Sequence, residues 1–202
     1  MKVTKNPDAR ILGTLTTPKK IQDYLDSIPF NHEKNGETCR SAALVIEHKT
    51  AHCLEGAFLA CAALLKQGRK PLIISLKVTD NDYDHVIAVY KEGAYFGAIS
   101  KTNHAVLSFR DPVYRSVREL VMSYFHEYFL VSNGEKTLRG YSRLINLNRF
   151  GTLWKDSSEN LLPVAYTIAE SYHIPIIPKG HAKFIRKATK LERKTALITW
   201  DD

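Results

Sequence analysis

The chain reads as an α+β fold in which helices come first and an antiparallel hairpin sheet follows. Three observations lead there. Leu54, Ala57, Phe58, Cys61, Leu64 and Leu65 recur at helical spacing, so Thr50 to Leu65 reads as a short loop feeding a helix with a core-facing side and Cys53 in its first turn. Two short apolar runs, Asp84 to Tyr90 and Ala94 to Ser100, flank Lys91-Glu92-Gly93 and form a hairpin. The helical patterns cluster ahead of these strands instead of alternating with them, which argues against a doubly wound parallel sheet.

Each element has its own local reason. Met1 to Thr16 is mixed in character and reads as a loosely attached arm. Thr17-Pro18 has the form of an N-cap followed by proline at the first helical position, and Ile21, Tyr24, Leu25 and Ile28 give that helix one apolar face before Pro29 ends it. Asn35-Gly36 signals a turn, and Thr38 is placed to cap a second helix with Ala42, Val45 and Ile46 inward. In the cysteine helix Ala57, Ala60, Ala62 and Ala63 keep the cylinder slim enough to pack on several sides, and Gly68 stops it.

Pro71 to Val78 is an apolar run that predicts a central strand, followed by the acidic loop Asp80 to Asp84. Beyond the hairpin, Ala105 to Phe109 predicts a further short strand. Asp111-Pro112 opens a helix with Val117, Leu120, Val121, Tyr124 and Tyr128 inward, ending near Asn133-Gly134. Arg139 to Phe150 shows no clear period. Ser157 or Ser158 is placed to cap a helix through about Ser171, and His173 to Pro178 reads as an extended connector.

Length and composition set the frame. The 202 residues suit one domain with a small extension, and 44% apolar with 25% charged residues is ordinary globular content. No apolar core suited to a signal peptide occurs in the first thirty residues, and no run approaches transmembrane length, so a cytoplasmic location is the expectation. Cys39, Cys53 and Cys61, odd in number and without a close pair, suit reduced thiols.

The net charge of +8 is uneven. Lys179 to Lys194 holds seven basic residues against one acid, a net +6 that leaves +2 for the rest. The division is therefore a domain over 1–178 and a basic extension over 179–202. The extension reads as a weakly packed helix with a thin stripe of Ile185, Ala188 and Leu191, suited to non-specific contact with an anionic partner.

The candidate chemistry starts at Cys53. In the first turn of a helix, orphan N–H groups and the helix dipole favour negative charge, and the thiolate is the nucleophile. A lone buried cysteine is more often inert. His85 changes that reading, because it opens a strand and a polar residue lies near the end of the returning strand: cysteine, histidine and a third group form the nucleophilic constellation. If Tyr90 pairs with Tyr95, His85 lies opposite Ser100. If Tyr90 pairs with Ala94, His85 lies opposite Ile99 and Asn103 becomes the third group. His48 and His52 are four apart beside Cys53, yet no zinc signature or Gly-rich phosphate loop is present, so no metal and no cofactor are assigned.

Ala51-His52-Cys53-Leu54-Glu55-Gly56-Ala57 resembles the G-x-C-x-x-x-A cysteine motif of the transglutaminase-like branch of the papain-like cysteine enzymes, departing at the first glycine. His85 starts a strand as the family's histidine does, and the family's aspartate is replaced here by Ser100 or Asn103. The runs H-C-L-E-G-A, D-H-V-I-A-V-Y, G-A-I-S-K-T-N-H-A-V-L, D-P-V-Y-R-S-V-R-E-L and S-Y-F-H-E-Y-F, across Thr38 to Tyr141, are similar to a bacterial family carrying a transglutaminase-like label. The resemblance implies a papain/transglutaminase-like fold with the cysteine helix packed on the sheet beside His85, and C-terminal helices beyond. It also implies acyl transfer on an amide or ester, with a peptide or protein amide as substrate. The uncharged third group keeps a second reading open, a binding protein on the same fold without turnover.

Overall fold

Leu12 and Leu15 draw the N-terminal segment into the core, so α1 (Ala9–Thr14) is docked, with Lys66 Nζ on the Ala9 carbonyl and Gln67 Nε2 on that of Leu15. The computed structural model describes residues 9–197. Thr17 accepts from the Lys20 N–H and Pro18 opens α2 (Pro18–Ser27), as the sequence predicts. In α3 (Ala42–His48) the capping residue is Ser41, not Thr38, because the Thr38 side chain is committed to Glu55. The cysteine helix, α4 (Cys53–Lys66), has every residue from Leu54 to Leu64 buried; small side chains let α1, α2, α3 and the sheet crowd around it.

The sheet is antiparallel throughout. β1 (Leu72–Lys77) runs down its middle, paired along its length with β2 (His85–Glu92), which pairs in turn with β3 (Tyr95–Ile99). β4 (Arg110–Tyr114) is one edge. This corrects the expectation that Asp111-Pro112 opens a helix. Proline lacks the ladder N–H but is tolerated on an edge strand, and the helix α5 (Val117–Met122) begins only after Ser116, which caps it through Glu119 N–H. Ala105–Leu107 is a 3-10 turn, not the expected strand.

The stretch without a clear period supplies β5 (Gly140–Ser142) and β6 (Ile145–Asn146), strands too short to show alternation; both pair with β1. After α6 (Leu153–Asp156), α7 (Leu162–Ala169) opens with a proline turn and no side-chain cap, so neither Ser157 nor Ser158 starts it. The expected connector contains β7 (His173–Pro175), which pairs with β5 and forms the other edge.

Two cores lie on the two faces. Ile73, Val86, Ala88, Tyr90 and Ile99 meet α4 and the helices around it. Ile74, Leu76, Ile87, Val89 and Ala98 meet Leu120, Val121, Tyr124 and Tyr128. The helices and the antiparallel sheet thus make the predicted α+β arrangement. The basic segment is not one continuous helix. Its only α-helical turns among the described residues are α8 (Lys190–Thr195); Ala188 is buried and pairs by its N–H with Gly134 O at 2.7 Å.

At Gly56 the cysteine helix and the chain leaving β3 come into close contact. A Cβ there would stand 2.4 Å from Lys101 Cβ, where the chain leaving β3 crosses α4. Gly56→Ala is expected to lower unfolding stability by about 1–3 kcal/mol, the usual cost of overpacking, because a backbone segment has to move. Chemical denaturation measures it, and an unchanged midpoint would show that the crossing yields.

Candidate active site

Cys53 is the first residue of α4, so its N–H has no carbonyl one turn earlier to bind, the position of an orphan donor. The start of the helix is fixed from both sides. His52 is the N-cap: its Nδ1 accepts from Leu54 N–H at 3.2 Å, and Glu55 Oε2 accepts from His52 N–H at 3.1 Å. Glu55 is fully buried, and its oxygens take three more donors: Asn31 Nδ2 at 3.0 Å, Thr38 Oγ1 at 2.8 Å and Arg40 N–H at 3.0 Å. The loop from Asn31 to Arg40 is thereby tied to the helix that carries the thiol.

His85 opens β2 opposite Leu76 and is buried. Its Nε2 lies 2.7 Å from Ser100 Oγ, which leaves Nδ1 as the ring nitrogen for the thiol. The contact arises from neither hairpin register expected from sequence. The turn has only two residues, Gly93 and Ala94, with Gly93 at φ +58°, and Glu92 pairs with Tyr95. Ala88 pairs with Ile99, so one step further places Ser100 beside Ile87, a diagonal neighbour of His85 on the same side. The hydroxyl reaches the ring because that diagonal is short.

Ser100 is held by groups distant in sequence. Gln22 Oε1 accepts from Ser100 N–H at 2.9 Å, and Gln22 Nε2 donates to Ser100 O at 2.8 Å. The next residue, buried Lys101, donates to Leu25 O at 2.9 Å and Ile28 O at 2.6 Å, carbonyls at the C-terminal end of α2 where a cation is favoured. Asn103, the other candidate third group, stands in the wall of the cleft, and its buried Oδ1 has no hydrogen-bond partner among the described residues. Asp84 neighbours His85 but faces Lys77 Nζ at 2.8 Å and Val78 N–H at 3.0 Å.

The electrostatics single out one thiol. Burial pushes the Cys53 pKa up, but hydrogen bonds from the His52 and His85 side chains, with the charges of both rings, outweigh it and hold the thiol down at about 5. Cys39 and Cys61, buried without such partners, are pushed well above the ordinary thiol range. Burial depresses His52, yet the hydrogen bond and charge of Cys53, then Glu55 and the Thr38 carbonyl, raise it to about 9. A proton on His52 Nδ1 conflicts with the cap, since that nitrogen accepts from Leu54 N–H while Nε2 faces Thr38 O at 2.9 Å. The geometry therefore favours the neutral ring at His52, against the raised pKa, and His85 as the proton partner of the thiol.

The half-buried thiol opens on a cleft of about 550 Å³. The tyrosine-rich run after α5 supplies part of its wall through Tyr128 and Phe129, and Ala196 closes one side. Its charged walls are acidic, Glu33, Asp82, Asp84 and Glu127, with no lysine or arginine lining it. Glu33 adopts φ +52°, a strained backbone for a non-glycine residue, held by Thr38 N–H on Oε1 at 2.6 Å and by its own N–H on Asn31 Oδ1 at 3.1 Å.

Sequence reasoning brings Cys53, His85 and Ser100 forward and misses His52, Glu55 and Gln22. The spacing of His52 and Glu55 is that of a capping box with histidine in place of serine, a signal that was present. Nothing local marks Gln22. Glu55→Ala is expected to lower stability by about 3 kcal/mol or more, since four donors lose their acceptor. Glu55→Gln, which keeps an oxygen there, is expected to lose less, and equal losses in denaturant titrations would count against this account.

The chain matches no known family model, and no curated protein matches it.

Proposed function

We propose that the protein performs cysteine-dependent acyl transfer on an amide or ester, on a papain/transglutaminase-like architecture. The observation that carries this reading is a thiol at the first position of a helix, on an open cleft, with His85 as its proton partner and its pKa held down at about 5. Cys53 Sγ attacks the carbonyl, and the proton leaves through His85 Nδ1. The tetrahedral oxyanion lies against the Cys53 N–H at the helix start. His85 then protonates the departing amine or alcohol, leaving a thioester on Cys53, and water or an amine acceptor resolves it. Ser100 orients the ring through Nε2. Three free thiols suit a reducing cytoplasm as the working compartment, with a peptide or protein amide as substrate.

A second reading is favoured by one feature: the group on His85 is a hydroxyl, which orients the ring but does not stabilise an imidazolium as a carboxylate would. In that case the domain binds and captures acyl groups without turning them over.

Two measurements decide. With the pKa lowered, the thiolate exists above about pH 5 and is lost below it. Iodoacetamide is therefore expected to modify Cys53 at pH 6 within a few-fold of its rate at pH 8, where an ordinary thiol with a pKa of about 8.5 would slow by roughly a hundredfold. His85→Ala should move the midpoint up. A midpoint near 8.5 in the native protein would sink the nucleophile.

Ser100→Ala tests the third group. Incubation with an activated ester, followed by mass spectrometry, is expected to show an acyl adduct on Cys53 that turns over in the native protein. In the variant, turnover should be slowed by roughly tenfold or more, within the usual contribution of positioned acid–base groups. An adduct that never turns over in the native protein selects the binding reading.

A further inference from the structure

The C-terminal segment carries an arrangement that the cleft chemistry does not use. Nine large apolar side chains are exposed among the described residues. Three of them, Phe184, Leu191 and Leu197, fall within one fourteen-residue stretch, while the other six are scattered from Tyr83 to Tyr172. Leu191 is 73% and Leu197 59% exposed.

Their exposure follows from how α8 docks. Ala196 is buried, Arg193 donates to the Val131 and Ser132 carbonyls, and Glu192 caps the turn through Thr189 while pairing with Arg186 at 2.8 Å. At about 100° per residue, Glu192, Arg193 and Ala196 share the inner side, and Lys190, Leu191, Lys194 and Leu197 share the outer one. Lys183 sits over the Phe184 ring at 5.0 Å, and Lys187 is exposed nearby in sequence. Lys183, Lys187, Lys190 and Lys194 form no ion pair among the described residues, and Glu192, the one acid between Lys179 and Leu197, is taken by Arg186.

Leucines set outward between lysines invert the usual amphipathic pattern, in which the apolar stripe faces the core. Basic and apolar side chains on one exposed face match a membrane interface, where cations meet anionic headgroups and apolar groups enter the acyl boundary.

We propose that the outer face of α8, with its outward leucines and lysines, docks the protein on an anionic lipid surface. Nucleic acid would use the same cations and could stack on Phe184, but it has no use for two exposed leucines, whereas lipid buries them. The inference does not depend on acyl transfer.

Sedimentation of the full chain with lipid vesicles tests it. Binding to mixed phosphatidylserine–phosphatidylcholine vesicles is expected to be tenfold or more tighter than to phosphatidylcholine alone, and to weaken strongly at about 0.5 M salt. The double variant Leu191→Ser, Leu197→Ser should bind the mixed vesicles several-fold less well, with its Cys53 alkylation rate unchanged as a check on folding. Absence of binding, or equal binding to both vesicle types, overturns the proposal. So does tighter binding to a single-stranded oligonucleotide that the leucine substitutions leave untouched, which would assign the face to nucleic acid.

Discussion

The contact between Gly56 and Lys101 sets the distance from α4 to the end of β3, and the position of His85 depends on that distance. A side chain at position 56 would push the Lys101 backbone outward, and Ser100 is the residue immediately before it. Ser100 Oγ meets the His85 ring at Nε2, on the side away from the thiol. Gln22 and the two α2 carbonyls under Lys101 hold the same segment from the other side. The crossing is therefore clamped between two helices, and the imidazole inherits its orientation from that clamp. A lysine with its ammonium on two carbonyls at the end of a helix is costly to desolvate, so it is an unusual choice for a merely filled core.

The start of α4 faces a conflict that the buried Glu55 contains. A thiolate at a helix N-terminus wants a cation nearby, and one of the two rings beside it belongs to His52, whose Nδ1 is already engaged as the cap. Moving the proton there would give up the Leu54 cap to gain a charge pair. Glu55 holds the His52 backbone N–H and three groups of the Asn31–Arg40 loop, so the N-terminal turn stays in place whichever ring carries the proton. His85, free of capping duty, is the ring whose protonation disturbs least.

Much of this was legible in the chain. The cysteine helix announces itself because its apolar positions repeat over four turns, and β2 because it opens with His85 after an acidic loop. The third group was legible only as a choice between Ser100 and Asn103. Neither expected register holds, because Lys91 and Glu92 extend β2 and leave only Gly93 and Ala94 as the turn, so Ser100 reaches His85 on a diagonal. The edge elements were hidden for a different reason. β4 contains a proline, and β5, β6 and β7 are two or three residues long, so no period can develop in them; pairing with longer neighbours forms them. Gln22 is invisible because its role exists only after α2 has packed against the end of β3.

Charge is divided across a single helical turn. The chain carries +8, yet the cleft around Cys53 is walled by carboxylates, and the cations gather in the segment whose inner side closes that cleft through Ala196. Ala196 and Leu197 are consecutive residues, one buried against the cleft and the other exposed. On an anionic surface the exposed lysines of α8 are drawn in, while Asp84 and Glu127 of the cleft wall are already paired with Lys77 and Arg110. The proposed docking would then hold the molecule by the lysines of α8, with Ala196 on the inner side still against the cleft.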